Sequence, residues 1–206
     1  MKRRVLATAL AGLWLAALSG FAQAQPAASA PKADYAARFA SVCAACHGPQ
    51  GVSATALTPS LAAQPSFYAV TQIFLFRQGR RDNPAMAAIA KDMSDADMIG
   101  FAEHVSKLAP PPVAAVGTPV DAARYGRGEA LAREHRCAAC HGKEFAGDRQ
   151  VPRLALQRED YLLLALRGFK EGKRVGYTQA MNEVLSGVAP EQLEDLAHYL
   201  AHIGVR

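Results

Sequence analysis

The 206-residue chain is short of several things at once: it has four cysteines, one tryptophan, 7% aromatic residues and no large excess of either charge. It has no apolar run of the roughly 20 residues that a membrane-spanning helix needs. The longest, residues 5–18, follows Lys2, Arg3 and Arg4 and precedes Ala22-Gln23-Ala24. Charged start, apolar centre and an A-x-A site are the layout of a secretory signal, so residues 1–24 are expected to be removed and the mature chain to begin at Gln25. No cysteine lies near that site to carry a lipid anchor, and no stable membrane insertion is expected after cleavage. The formal charge of +5 includes the three signal cations, and without them 20 Lys and Arg face 18 Asp and Glu. Such a balance gives no electrostatic footprint for a nucleic-acid partner.

All four cysteines fall in two identical runs, Cys43-Ala44-Ala45-Cys46-His47-Gly48 and, 94 residues later, Cys137-Ala138-Ala139-Cys140-His141-Gly142. A C-x-x-C-H run is the attachment signature of c-type haem: two thiols form thioethers with the vinyl groups and the adjacent His reaches the iron. Zinc ribbons place their cysteine pairs about 15 to 20 residues apart, and a thioredoxin-like dithiol needs a βαβ setting that these Ala-rich flanks do not suggest. The expected cofactors are therefore two covalently attached haem c groups. Export agrees with this, because bacterial haem attachment takes place outside the cytoplasmic membrane, and the expected location is the periplasm.

The same landmarks recur on both sides of a Pro-rich, uncharged stretch at residues 109–119, which reads as a semi-rigid linker. Helical segments at 34–42 and 121–136 precede the two motifs. Pro59-Ser60-Leu61 corresponds to Pro152-Arg153-Leu154, Gln64 with Tyr68 to Gln157 with Tyr161, and the basic loop Gly79-Arg80-Arg81 to Gly172-Lys173-Arg174. Met86 matches Met181, and amphipathic helices at 94–108 and 190–203 close the halves. An offset held at 93 to 95 residues marks an internal duplication. The expected domains are 25–108 and 120–206, both all-α. At about 85 residues each half has a marginal core, which a buried porphyrin would complete.

His47 and His141 are the candidate proximal ligands, and the carbonyls of Pro59 and Pro152 are placed to accept from their second ring nitrogens. For the sixth position the second half offers one methionine, Met181, whereas the first offers Met86, Met93 and Met98. Repeat register selects Met86, because it and Met181 each stand eight residues before the start of the closing helix, and it aligns Met93 and Met98 with the apolar Val188 and Leu193. Arg80, Arg81, Lys173 and Arg174 would pair with haem propionates or form a solvated basic loop. Tyr68 and Tyr161 would donate to a propionate or line the pocket. His198 and His202, one helical turn apart with no third ligand visible, read as residues of a solvated helix face.

With these residues in place the chain resembles the class I c-type cytochromes, and its doubled layout is similar to the dihaem cytochrome c4 family. The resemblance covers nearly the whole mature chain and rests on the two motifs with Pro59, Leu61, Gln64, Tyr68, Gly79, Arg80, Met86 and Ser94-Asp95-Ala96-Asp97, and on Pro152, Leu154, Gln157, Tyr161, Gly172 and Met181. It implies two tandem class I cytochrome c domains related by a pseudo-twofold axis, with redox proteins as partners. The donor would be a quinol-oxidising complex or dehydrogenase and the acceptor a terminal oxidase. The first half departs from the pattern: it lacks the Tyr and Gly of Tyr125-Gly126-Arg127-Gly128 and has His104 where an aromatic residue is usual. His/Met ligation leaves no open iron position, which favours electron transfer over catalysis. The rival expectations are a dihaem subunit of an oxidoreductase, such as flavocytochrome sulfide dehydrogenase, and a catalytic haem as in thiosulfate dehydrogenases or peroxidases. The last needs a missing or unusual sixth ligand.

Overall fold

The computed structural model describes residues 33–113, 119–174 and 179–204. The expected signal at 1–24 and most of the second part of the expected linker, 114–118, lie outside the described residues. Ten helices form and no strand does: α1 Tyr35–Val42, α2 Ala44–His47, α3 Ser66–Arg77, α4 Pro84–Ala90 and α5 Asp95–Lys107, then α6 Ala122–Glu134, α7 Ala138–His141, α8 Glu159–Lys170, α9 Ala180–Ser186 and α10 Gln192–Ala201, all among the described residues. The second five repeat the first five in order.

The helix starts follow from local chemistry. Asp34 and Asp121 accept from the backbone N–H three residues on and cap α1 and α6. Ser94 and Asp97 form a reciprocal capping box at α5. At the equivalent place before α10, the Gln192 side chain accepts from Ala189 N–H at 2.8 Å. Helix α6 stops at Glu134, two residues short of the expected end, because Arg136 takes a left-handed φ of 54° that turns the chain into the second motif.

In each half the first and last helices cross. Gly128 of α6 lets that crossing close in the second half: an added Cβ would sit 2.1 Å from the Asp195 carbonyl oxygen of α10. Tyr125 meets Tyr199 edge-on at 5.1 Å there. The first half solves the same problem from the opposite helix. Its small residue is Gly100 on α5, over which the Tyr35 ring lies, and Tyr35 meets Phe101 edge-on at 5.2 Å. His104 packs against Phe39 with centroids 5.1 Å apart. An ion pair between Arg38 and Asp97 ties α1 to α5.

The outer faces have diverged more than the frames. In the second half Arg167 of α8 pairs with Glu194 of α10 at 3.0 Å. The positions equivalent by repeat, Phe74 of α3 and Ile99 of α5, are apolar, exposed and line one shallow groove.

The second half contains a broad buried cluster that includes Leu131, Leu162, Leu166, Leu185, Leu193, Leu196 and Leu200. The corresponding cluster of the first half is Phe39, Phe101 and Val105, ringed by Leu61, Ile73 and Met93. His198 and His202, expected on a solvated face, are instead buried. Asp121 N–H can only donate and points at His198 Nε2 at 3.0 Å, so that nitrogen carries the lone pair. The neutral ring then donates from Nδ1 to Glu159 at 2.9 Å, pinning α10 to the starts of α6 and α8. Although Glu159, His198 and His202 cluster closely enough to hold a metal, both His198 nitrogens are already used.

Candidate haem sites

A single helical turn places Cys43, Cys46 and His47 on one side, because residues three and four apart share a helix face; His47 N–H bonds to Cys43 O at 3.0 Å. The second motif repeats it, with His141 N–H on Cys137 O at 3.1 Å. Gly48 ends the turn at a φ of 81°, where an added Cβ would lie 2.0 Å from Val52 O. None of the four cysteines is in a disulfide; Cys43 and Cys137 are half-buried, and Cys46 and Cys140 are exposed. Burial pushes the Cys43 thiol up to about 11 against the opposing pull of Arg38, and burial also raises Cys137.

The loop after each motif is folded by matching bonds. Leu61 and Ala62 N–H both donate to Gly51 O, at 2.7 and 3.0 Å, and Leu154 and Ala155 N–H both donate to Phe145 O, at 2.8 and 3.1 Å. These loops bring Pro59 O to 2.8 Å from His47 Nδ1 and Pro152 O to 3.0 Å from His141 Nδ1. Both rings are buried. Desolvation lowers the pKa of each, and although the proline carbonyl opposes this, the net direction keeps both imidazoles neutral; Arg81 adds to the lowering at His47. A neutral ring that donates from Nδ1 presents its Nε2 lone pair to a metal.

His47 lines a cavity of about 840 Å³ together with Cys43, Cys46 and Pro59. Met86 lines the same cavity, placed on the first turn of α4, where Asn83 accepts from its backbone N–H at 2.9 Å. Met93 also reaches this cavity and packs on the Phe39 cluster, whereas Met98 is buried on α5 facing the shallow groove. Met181 is half-buried on α9 against the core of the second half. Thiols at the mouth, a buried imidazole and a thioether on one cavity, with Phe39, Ile73, Phe101 and Val105 as its apolar wall, are a donor set and a surface that fit a covalently held porphyrin.

The basic loops and tyrosines meet at the boundary between the halves. Arg81 lines the cavity, donates to Gln72 Oε1 and to Tyr161 OH, each at 2.7 Å, and stacks on Phe76. Arg174 approaches the same phenol at 3.4 Å. Burial alone would raise the Tyr161 pKa, but the two guanidinium groups outweigh it and bring the phenol down to about 8. Tyr68 also lines the cavity, and its N–H bonds across to Arg149 O at 3.0 Å. Lys173 reaches the cavity edge paired to Glu171 at 2.6 Å, and Arg80 is exposed.

The structure also reveals contacts that spacing alone did not: the two repeat glutamines cross between the halves. Gln157 bonds to the backbone of Ser60, and Gln64 to the backbone of Arg153. The one sequence signal was an uncharged polar residue recurring at the same register in an apolar loop.

Fold and donors together define a doubled c-type cytochrome. Residues 125–204 match the family model for cytochrome c, and residues 30–105 match that for the cbb3-type cytochrome c oxidase subunit III. A thiosulfate dehydrogenase electron acceptor of Thiomonas intermedia is 32% identical over 208 residues, covering 97% of this chain and 90% of the relative. A cytochrome c4 of Thiocapsa roseopersicina is 29% identical over 170 residues, covering 77% and 85%. The crystal structure of reduced cytochrome c4 from Pseudomonas stutzeri superposes with a TM-score of 0.74 at 27% identity, covering 82% of this chain and 96% of that one. The chain belongs to the dihaem cytochrome c4 family of c-type cytochromes. It is an electron-transfer protein that carries two covalently bound haem c groups and exchanges electrons with redox proteins.

Proposed function

We propose that the chain is a periplasmic carrier whose haems are held by Cys43 and Cys46 with His47 and Met86 as axial ligands, and by Cys137 and Cys140 with His141 and Met181. The observation that carries this reading is that His47 and Met86 line one cavity, so the protein itself supplies both axial positions there. Haem held in this way supplies a one-electron couple, with Met ligation raising its potential relative to a second His. The chain's own residues hold each imidazole neutral and oriented through Pro59 and Pro152, exclude water with the apolar wall, and leave no position for a substrate. Arg81, Arg174, Tyr68 and Tyr161 are assigned to the propionates and the pocket edge, Lys173 to its rim and Arg80 to the solvated loop. Domain limits of 25–108 and 120–206 with a linker at 109–119 complete the reading. Among the described residues no helix is long and apolar enough to cross a membrane.

The donor would be a quinol-oxidising complex or a dehydrogenase, and the acceptor a terminal oxidase. The relative from Thiomonas intermedia favours a second reading, in which this chain takes electrons from a thiosulfate-oxidising dehydrogenase. Ferric-state spectroscopy tests the ligands: two Met-to-iron charge-transfer contributions are expected, both lost in Met86→Ala plus Met181→Ala, whereas a high-spin haem in the wild type would overturn the assignment. Purification from native periplasm separates the two roles, because a lone chain supports the free carrier and tight copurification with a dehydrogenase supports the subunit.

A further inference from the structure

The bonds exchanged by the two glutamines fall on particular peptide units. Pro59 C=O and Ser60 N–H belong to one amide plane. The carbonyl accepts from His47 Nδ1 at 2.8 Å, while the N–H donates to Gln157 Oε1 at 2.7 Å. Gln157 is in the opposite half, 97 residues from Ser60, and its Nε2 donates back to Ser60 O at 2.8 Å. The reciprocal set is complete: Pro152 O lies 3.0 Å from His141 Nδ1, Arg153 N–H donates to Gln64 Oε1 at 3.1 Å, and Gln64 Nε2 donates to Arg153 O at 3.0 Å. Because a backbone N–H only donates and a carbonyl only accepts, the orientation of both side-chain amides is fixed by their partners. His47, Ser60, Gln64, His141 and Gln157 are all buried, so water does not compete for these bonds.

We propose that Gln157 and Gln64 are positioning residues that act across the two halves, each setting the hydrogen bond to the axial histidine of the haem it does not adjoin in sequence. An amide whose N–H is bonded to an acceptor is polarised, and its carbonyl oxygen becomes a stronger acceptor in turn. Gln157 therefore strengthens the bond from His47 Nδ1–H to Pro59, gives that imidazole more imidazolate character and favours the ferric state of the N-terminal haem. Gln64 does the same for His141 through Pro152, over longer bonds and so with a smaller effect. The linkage gives each half a handle on the other's potential without contact between the haems. It rests on the reading of His47 and His141 as axial ligands.

The test uses the full-length holoprotein in a redox titration followed by NMR, with the N-terminal haem identified by the resonances that Met86→Ala removes. In Gln157→Ala the N-terminal haem should rise in potential, so that its ferrous-to-ferric ratio at the wild-type midpoint increases about threefold. At 59 mV per tenfold for one electron this is about 28 mV. The C-terminal haem, in the half that carries Gln157, should not move. Gln64→Ala should give the mirror result with a smaller shift. In Gln157→Glu the carboxylate is a stronger acceptor, and the N-terminal potential should fall below the wild type. Shifts confined to the mutated half, equal shifts of both haems, or Ala and Glu variants moving the potential in the same direction would overturn the relay. If the Ala variants fail to retain haem, the His47 Nδ1–H proton resonance of ferrous Gln157→Glu decides: displacement downfield of the wild type, as a stronger bond to Pro59 requires, supports the relay, and an unmoved resonance overturns it whatever the potential does, because the added negative charge lowers the potential by itself. A low-spin His/Met spectrum with unmoved potentials sinks the relay alone, whereas a high-spin wild type sinks the ligand reading with it.

Discussion

Two glycines of α6, only two residues apart and so on nearly opposite faces of the helix, provide a controlled perturbation. Gly126 has no atom within 4 Å of the position a Cβ would take. At Gly128 the new atom would lie 2.1 Å from Asp195 O, 2.8 Å from Asp195 C and 2.6 Å from Tyr199 Cβ. Both substitutions by Ala favour the helix, by about 0.4–1 kcal/mol each. For Gly126→Ala nothing opposes this gain, so the second half should become more stable by that amount. For Gly128→Ala the obstacle is the backbone of α10, which no rotamer change removes, and α6 and α10 must separate. Overpacking of this kind costs about 1–3 kcal/mol, so a net loss of about 1–2 kcal/mol is expected. For a domain of this size each kcal/mol shifts Tm by about 4–8 °C. Thermal unfolding of the holoprotein, followed by helical circular dichroism, should show Gly126→Ala melting above and Gly128→Ala well below the wild type. Equal melting temperatures for the two variants would refute the claim that the crossing is set by contact at Gly128.

Other outcomes follow from the same geometry. Replacing His198 with Ala removes the acceptor of Asp121 N–H and the donor to Glu159, and chemical denaturation should show a loss of about 1–3 kcal/mol. The Arg38 hydrogen bond, followed by that from Ser94, holds the Asp97 carboxyl at about 2, below its ordinary 3.8. A depressed carboxylate pKa stabilises the fold above the unfolded value and loses that contribution as pH falls from about 4 through about 2, so Asp97→Asn should lower Tm at neutral pH and match the wild type near pH 2. Changing Cys43 and Cys46 to Ser should leave the first half less helical and less heat-resistant, because its buried cluster is small; circular dichroism showing an unchanged half would count against haem as its missing core.

What was legible in the sequence was whatever repeats or is local. The motifs announced haem, the register paired Met86 with Met181, and Asp34, Ser94 and Asp121 marked helix starts that depend on neighbours three residues away. What stayed hidden depends on long-range contact. No spacing rule says that Gln157 meets Ser60, or that His198 faces inward, because its partners Asp121 and Glu159 lie at the starts of two other helices. The Tyr-Gly-x-Gly run missing from before the first motif was a local clue of the same limited kind: the first half keeps an aromatic, Tyr35, on the opening helix but places its small residue, Gly100, on the other helix of the pair, where a comparison confined to the opening helix cannot find it.

The paired glutamine contacts have the form of an isologous interface, in which residue i of one copy meets j of the other and j meets i. A single-haem chain carrying one copy of this unit could form a homodimer through the same contacts, at the cost of depending on its own concentration. Fusion through a short linker replaces that encounter with a fixed effective concentration. It also removes the obligation of the two copies to remain alike, and Phe74 and Ile99, at the positions equivalent to Arg167 and Glu194, show where that freedom has been used: the joined faces have kept their symmetry while the outward faces have become two different surfaces.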